Sequence, residues 1–400
     1  MPRLVVEAGG SIPALGLGWL MNTEPAQELL ADDIPQNANE AALLIQSLRG
    51  LPWDDWDGVD WEVLRELAER HGALLLVYRS LVEAGADVPG FFSAGALEHK
   101  GDAERLAAEL ECLLHSFAGQ GIEVLPLKGP ALAQAIYGDV ALRRPDDLDL
   151  LVRRADYSRS EVVLMEEGFL PAGPLAEHHR RFFRGEVMVE LHVELADLLY
   201  FPIRADDIWR GSCLYDFRGK PCRAMNGQDL ILYLCCHGLK HRFSRIIWIV
   251  DLAKALGDLP SDQYQELMRR AECENLMPWL LIGCEVVRAM FPQQLPAAMD
   301  ALIAKSPEAA QRARDAAYRL MSEEMQIGVN DYWRFYLQAE PNPWKRWRYR
   351  LRYIAPTYND LEWAQRHRVH PYLMVILRPF RLLASHGLRG PWRTLRSPRT

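Results

Sequence analysis

Between Ile122 and Leu195 the apolar residues of this chain change period. On either side they recur every three or four positions, the spacing of an amphipathic helix. Inside this window they recur every second position, the spacing of a strand with one face buried. The clearest case is EVMVELHVEL, where Val187, Val189, Leu191 and Val193 share one side and Met188, Glu190, His192 and Glu194 the other. Ahead of it, IEVLPLKG, PALAQAIYGD and DDLDLLVRR read strand, helix, strand with tight connections. Pro130 suits the first helical turn, where its missing N–H is no loss, and Gly138 suits the end. DYSRSEVVLMEEGF predicts a further helix. A small α/β unit, about 119 to 220, is therefore set into an otherwise helical chain.

The flanks read as helix. VDWEVLRELAERHGALLLVYRSLVEAG carries Leu64, Leu67, His71, Leu74 and Leu75 on one stripe and is closed by Gly85 and Pro89, and AERLAAELECLLHSFAGQG ends in glycines. Beyond Asn226 come DLILYLCCHGLKHRF, IIWIVDLAKAL, DQYQELMRRAECENL, MPWLLIGCEVVRAM and PEAAQRARDAAYRLM, separated by Gly, Pro and Ser-Asp breaks. The expected organisation is an N-terminal helical region over 1–118, the α/β unit over 119–220, a helical domain over 221–335, and a basic, aromatic segment over 336–400.

Charge narrows the partners. The net charge is −8, a poor match for gripping long nucleic acid. It is unevenly placed: from Pro341 to Thr400 there are 13 Lys and Arg against only Asp360 and Glu362. That segment is expected to dock on the acidic body, with peripheral contact to an anionic surface as the alternative. The seven cysteines show no C-x-x-C spacing, which points away from a zinc ribbon or disulfide framework and toward a reducing cytoplasm. No run of about 18 apolar residues predicts a membrane span.

The chemistry sits in the α/β unit. In RRPDDLDLLV, Asp147 and Asp149 alternate with Leu148 and Leu150, so a strand places both carboxylates on one face about 7 Å apart. Paired carboxylates make a hard oxygen site suited to Mg²⁺ or Mn²⁺; the plainer reading is a solvated strand end. Glu190 adds a third acid on a strand of the same unit. Lys128 and Gly129 form a strand-to-helix turn whose free N–H groups and helix dipole favour phosphate. Arg143 and Arg144 precede the acidic strand and match phosphate geometry, or else pair with Asp146 or Asp139. His178, His179, Arg180, Arg181 and Arg184 form a polar cluster read as an acceptor-side loop. His237, Lys240 and His241 share a helix face; Lys240 is a candidate for the nucleotide, against a buried polar network with Asp251 that ties the helical domain to the α/β unit.

These segments, VLPLKGPALA, RRPDDLDLLV, VELHVEL, HGLKHRFSRIIWIVDLAKAL and more weakly LRPFRLL, resemble in order and spacing the uncharacterised nucleotidyltransferases of the DNA polymerase beta-like superfamily, from about Trp61 to Leu383. The resemblance implies an α+β fold: a small mixed-sheet catalytic domain flanked by helical regions. It also implies metal binding by Asp147, Asp149 and Glu190, and transfer of a nucleoside monophosphate from a nucleoside triphosphate to an acceptor. The acidic body favours a small molecule or a protein as that acceptor. The turn departs from the wider superfamily, where Gly-Ser or Gly-Gly is usual and Pro130 here follows Gly129. Two other readings fit parts of the pattern: a nucleotide-binding regulatory module without turnover, and a D-x-D glycosyltransferase, which needs a larger nucleotide-sugar domain before the acids.

Overall fold

The computed structural model describes residues 38–51, 58–173, 178–196, 203–291 and 294–321, with Trp56 and scattered positions from 343 to 378. Residues 1–37 and most of the basic C-terminal segment, including 379–400, lie outside the described residues, and with them the expectations for the chain's start and for docking of the tail.

Among the described residues four helices lead in: α1 (Ala38–Arg49), α2 (Trp61–Arg70), α3 (Leu74–Glu83) and α4 (Gly90–Gly119). The sequence stretch expected as one helix from Trp61 is two. Gly72 takes φ +70° between α2 and α3, and a Cβ there would lie 3.3 Å from Ile247 Cγ2, so the chain turns where only glycine is unstrained. Asp60 caps α2, its carboxylate accepting from the backbone N–H groups of Glu62 and Val63.

The α/β unit follows: β1 (Val124–Pro126), α5 (Gly129–Tyr137), β2 (Leu148–Val152), α6 (Tyr157–Glu166), β3 (Leu170–Ala172), β4 (His179–Arg184) and β5 (Val187–His192). Its sheet runs β1-β2-β5-β4-β3. The β2–β5 pair is parallel and the other pairs are antiparallel, so the sheet is mixed. One correction concerns His179–Arg184, expected in a loop: it is a strand, paired on one side with β3 and on the other with β5. Phe182 is its buried side chain, while three arginines and a histidine mask the alternation in the text. Helix α7 (Ala205–Gly211) and the hairpin β6 (Cys213–Phe217) and β7 (Lys220–Ala224) complete this part and were not foreseen.

The helical part comprises α8 (Gly227–Lys240), α9 (Ile246–Asp258), α10 (Tyr264–Cys273), α11 (Met277–Met290), α12 (Ala297–Ala304) and α13 (Pro307–Met321). Two cores organise the molecule. Leu148, Leu150, Val152, Val189, Leu191 and Phe182 pack on Leu110, Leu114 and Phe117 of α4 and on Leu164 of α6. The strand residues between them, such as Leu151, belong to a larger core shared with α5, α8, α9 and α11. Each large side chain so buried contributes roughly 1.5–3 kcal/mol. The sheet is thereby covered by α4 and α6 on one face, and on the other it presents Asp149, Glu190 and His192 toward the helical part. Among the described residues no helix is long and apolar enough to cross a membrane.

Candidate active site

The site is built on the parallel pair at the centre of the sheet. The β2–β5 register sets Asp149 directly opposite Glu190 and Leu151 opposite His192. Side chains two apart on a strand share a face, so Glu190 and His192 reach the same side as Asp149. His192 Nε2 is 3.0 Å from Asp149 Oδ1 and 3.5 Å from Glu190 Oε2. Its Nδ1 lies 3.2 Å from the Glu194 carbonyl oxygen. Both ring nitrogens thus face groups that only accept, a setting that favours the protonated ring. Burial opposes its charge, but the hydrogen bonds to Asp149 and Glu190 outweigh that and raise its pKa above the ordinary histidine value.

Lys128 approaches from the turn after β1, its Nζ 2.8 Å from Asp149 Oδ2. Asp149 is only 3% exposed. Burial alone would favour its neutral form, yet Lys128 and the hydrogen bond from His192 hold its carboxyl well below the usual range. Glu190 is likewise held down to about 2: burial works against ionisation, and the His192 hydrogen bond and His179 overcome it. Arg181 Nε donates to Glu190 Oε1 at 2.8 Å, and His179 Nε2 lies 3.6 Å from the same oxygen. Asp147, just before β2, behaves oppositely. Burial first, and then the Asp149 charge, push its carboxyl up to about 7.

The turn itself is shaped by Gly129, at φ +69°, where a Cβ would stand 3.2 Å from the Asp147 carbonyl oxygen. Glycine therefore lets the first turn of α5 close against the acidic segment. Lys128 and Gly129, with Arg143, Arg144 and Asp147, line part of a cavity of about 260 Å³. His237, His241, Arg245 and Trp248 from α8, α9 and the segment joining them line the rest.

The remaining expected residues divide. Arg143 pairs with neither Asp146 nor Asp139. Its Nε donates to Asp251 Oδ2 at 2.8 Å, and Tyr137 Oη donates to Asp251 Oδ1 at 2.7 Å, a buried network joining α5, the segment before β2, and α9. Asp146 is held instead by Arg245. Arg144 lies 3.7 Å from Glu69 of α2. Lys240, at the end of α8, lies outside the cavity lining. Glu194 accepts the backbone N–H of Ala205 at 2.9 Å at the start of α7, away from Asp149.

What sequence reasoning passed over is His192, together with Arg245 and Trp248; Arg181 was read as part of an acceptor-side loop and here meets Glu190. For His192 the signal was present, since it shares Glu190's face at a spacing of two. For Arg245 and Trp248 no local spacing points to the site, because they arrive on a helix more than fifty residues later. Asp149, Glu190 and His192 place ligand atoms within 4.8 Å of one another, an arrangement able to hold a metal ion. Carboxylates and a lysine-bearing glycine turn thus stand beside a polar cavity on a small mixed sheet.

The family follows from comparison. Residues 57–292, more than half the chain, match the model of the uncharacterised nucleotidyltransferase family, and the protein belongs to it. It is a nucleotidyltransferase. No curated protein matches it in sequence. Among solved structures it is similar to the solution structure of antibiotic-resistance factor ANT(2'')-Ia, at 14% identity over 43% of this chain and 94% of that one, with a TM-score of 0.35. It is also similar to the crystal structure of ANT(2'')-Ia in complex with adenylyl-2''-tobramycin, at 15% identity over 43% of this chain and 99% of that one, with a TM-score of 0.35.

Proposed function

We propose that this nucleotidyltransferase moves a nucleoside monophosphate from a nucleoside triphosphate to a small-molecule or protein acceptor, with Asp147, Asp149 and Glu190 holding Mg²⁺ or Mn²⁺. The observation that carries this reading is the in-register pairing of Asp149 with Glu190, beside Lys128, on the sheet face not covered by α4 and α6. The donor set fits a hard divalent cation: two ionised carboxylates, and a third carboxyl whose proton is weakened only by the arrival of positive charge. Such a cation, when bound, neutralises triphosphate charge and polarises the phosphorus under attack.

The chain's own residues supply the rest. Lys128 and the N–H groups of the Gly129 turn bind phosphate oxygens, and Arg144 and Arg245 extend that positive lining. An acceptor hydroxyl attacks the α-phosphorus in line; its bond to phosphorus forms as the bond to pyrophosphate breaks, and its proton leaves to a nearby base. Glu190, held at about 2, is suited to holding a cation rather than to taking that proton, and Asp147, raised to about 7 without a cation, is ionised once it holds one, so the base that takes the proton is water. Arg143 acts through Asp251 as a strut for the cavity, and Lys240 acts on the neighbouring histidines rather than on phosphate. In this reading 119–220 is the catalytic unit, and the helical domain expected over 221–335, described as far as Met321, covers it.

Titration calorimetry with each of the four common nucleoside triphosphates, with Mg²⁺ and with excess EDTA, tests the proposal. Binding is expected only with the cation, because carboxylates and triphosphate repel each other without one. Equal affinity in EDTA would place the triphosphate away from the acids. Asp147→Asn and Asp149→Asn should each abolish transfer with unchanged circular dichroism.

A further inference from the structure

The cavity beside Lys128 has a corner of a different chemical character. His237 and His241 of α8 and its C-terminal cap pack against Trp248 of α9 in tilted and edge-on contacts: the ring centroids lie 4.7 Å apart at 57° for His237–His241, 5.2 Å at 82° for His237–Trp248 and 5.1 Å at 44° for His241–Trp248. All three rings line the cavity that Lys128, Gly129 and Asp147 also line. Trp248 is only half-buried and is among the residues that line that space. Burial, with the Lys128 charge next, holds His237 well below its ordinary pKa, and burial with the Lys240 charge brings His241 to about 3. Both imidazoles are therefore neutral near pH 7. Neutral imidazoles have little pull on phosphate, but each can donate and accept a hydrogen bond in its plane.

Arg245 marks the border between the two characters. It pairs with Asp146 beside the acidic segment, and its guanidinium lies 5.8 Å from the Trp248 ring centroid. One end of the cavity thus suits a triphosphate, and the other offers an aromatic face with neutral polar edges. A flat heteroaromatic ring with hydrogen-bonding edges is the chemistry that this corner complements.

We propose that Trp248, with His241, forms the stacking platform for the base of the nucleoside triphosphate, making this corner the base-recognition subsite. The proposal rests on the function proposed above and names a part of its substrate that the acids and Lys128 cannot read. Acceptor binding is left to the Glu190 side, where His179 and Arg181 stand, because in-line attack brings the nucleophile from the side opposite the leaving pyrophosphate.

The test compares nucleotides with a ligand that has no base. Trp248→Ala, Trp248→Phe and His241→Leu are titrated by calorimetry with ATP, GTP, CTP and UTP, and with inorganic triphosphate, all with Mg²⁺, after circular dichroism confirms folding. Loss of one base–aromatic stack is worth about 1–3 kcal/mol, so Trp248→Ala should weaken the tightest nucleotide about 5- to 150-fold. Inorganic triphosphate should bind unchanged, and Trp248→Phe should recover most of the loss. His241→Leu should also weaken nucleotides selectively, which keeps the test alive if Trp248→Ala does not fold. Equal weakening of nucleotides and inorganic triphosphate, or no weakening of either, overturns the proposal. So does a wild-type protein that binds inorganic triphosphate as tightly as every nucleotide. A wild-type protein that binds neither overturns the proposed function itself.

Discussion

Removing the charge of Asp251 should be among the most damaging single changes outside the acids. Its carboxylate is fully buried, the Arg143 side chain it faces is 7% exposed, and they meet at 2.8 Å. The second oxygen accepts from Tyr137 at 2.7 Å. Asp251→Asn keeps the size and the acceptor toward Tyr137 but leaves the Arg143 guanidinium buried without a counter-charge. Stranding one partner of a buried ion pair costs about 3–5 kcal/mol, far more than the pair's net worth, since both charges were already desolvated. With an unfolding entropy of about 2.1 cal/mol/K per residue, the 400-residue chain shifts by about 1.2 °C per kcal/mol, so the melting temperature should fall by about 4–6 °C. The discriminating variant is Arg143→Met combined with Asp251→Leu, which removes both charges and should recover most of the loss. Urea unfolding of the wild type, both single variants and the double variant gives the coupling energy. A cost under about 1 kcal/mol for Asp251→Asn, or a double variant as unstable as the sum of the singles, would refute the reasoning. In the first case the charge is solvated, and in the second the network is not what joins α9 to α5.

Other expectations follow from the site. Glu190→Gln should cost at least about a hundredfold in turnover with nucleotide affinity changed much less, whereas Glu194→Gln, whose amide oxygen can still accept from Ala205, should be near neutral; the reverse pattern in a metal-saturated assay means the acids are wrongly assigned. Metal-dependent nucleotide affinity should rise with pH through about 7. The sign follows from Asp147: its carboxyl is raised, it is protonated below that pH, and the proton must leave before a hard cation binds, so affinity should fall about tenfold per pH unit below the pKa. Calorimetry in buffers of different ionisation enthalpy at pH 6 should show close to one proton released, and none from this source in Asp147→Asn; a pH-independent affinity contradicts the placement of Asp147.

Much of this was legible because the relevant physics is local. Alternation with period two depends only on the direction of successive Cβ atoms, so RRPDDLDLLV and EVMVELHVEL announced strands, buried faces and same-face acids without any knowledge of neighbours. Glycine and proline act through their own dihedral angles, which is why the start and end of α5 could be read from Pro130 and Gly138, whose φ is indeed +71°. Local periodicity failed where a strand's exposure is decided by its partners. HRRFFR carries too much charge to look like a strand, yet it is one because β3 and β5 supply hydrogen bonds on both sides and Phe182 alone needs burying.

The tertiary structure decided everything that depends on which elements meet. That Asp149 stands opposite Glu190 is a matter of register between strands about forty residues apart, and no spacing in the sequence encodes it. The same holds for Arg143, whose two expected partners were close in sequence, while the partner it takes, Asp251, is 108 residues away. It holds again for Lys128, expected in a phosphate-binding turn and here paired with Asp149, and for Trp248, which no spacing singles out and which lines the cavity. Residue types and their faces are properties of the chain and survive in the text. Ion pairs, shifted proton affinities and the cavity are properties of distances across the fold, and Coulomb energies and desolvation take their size from those distances alone.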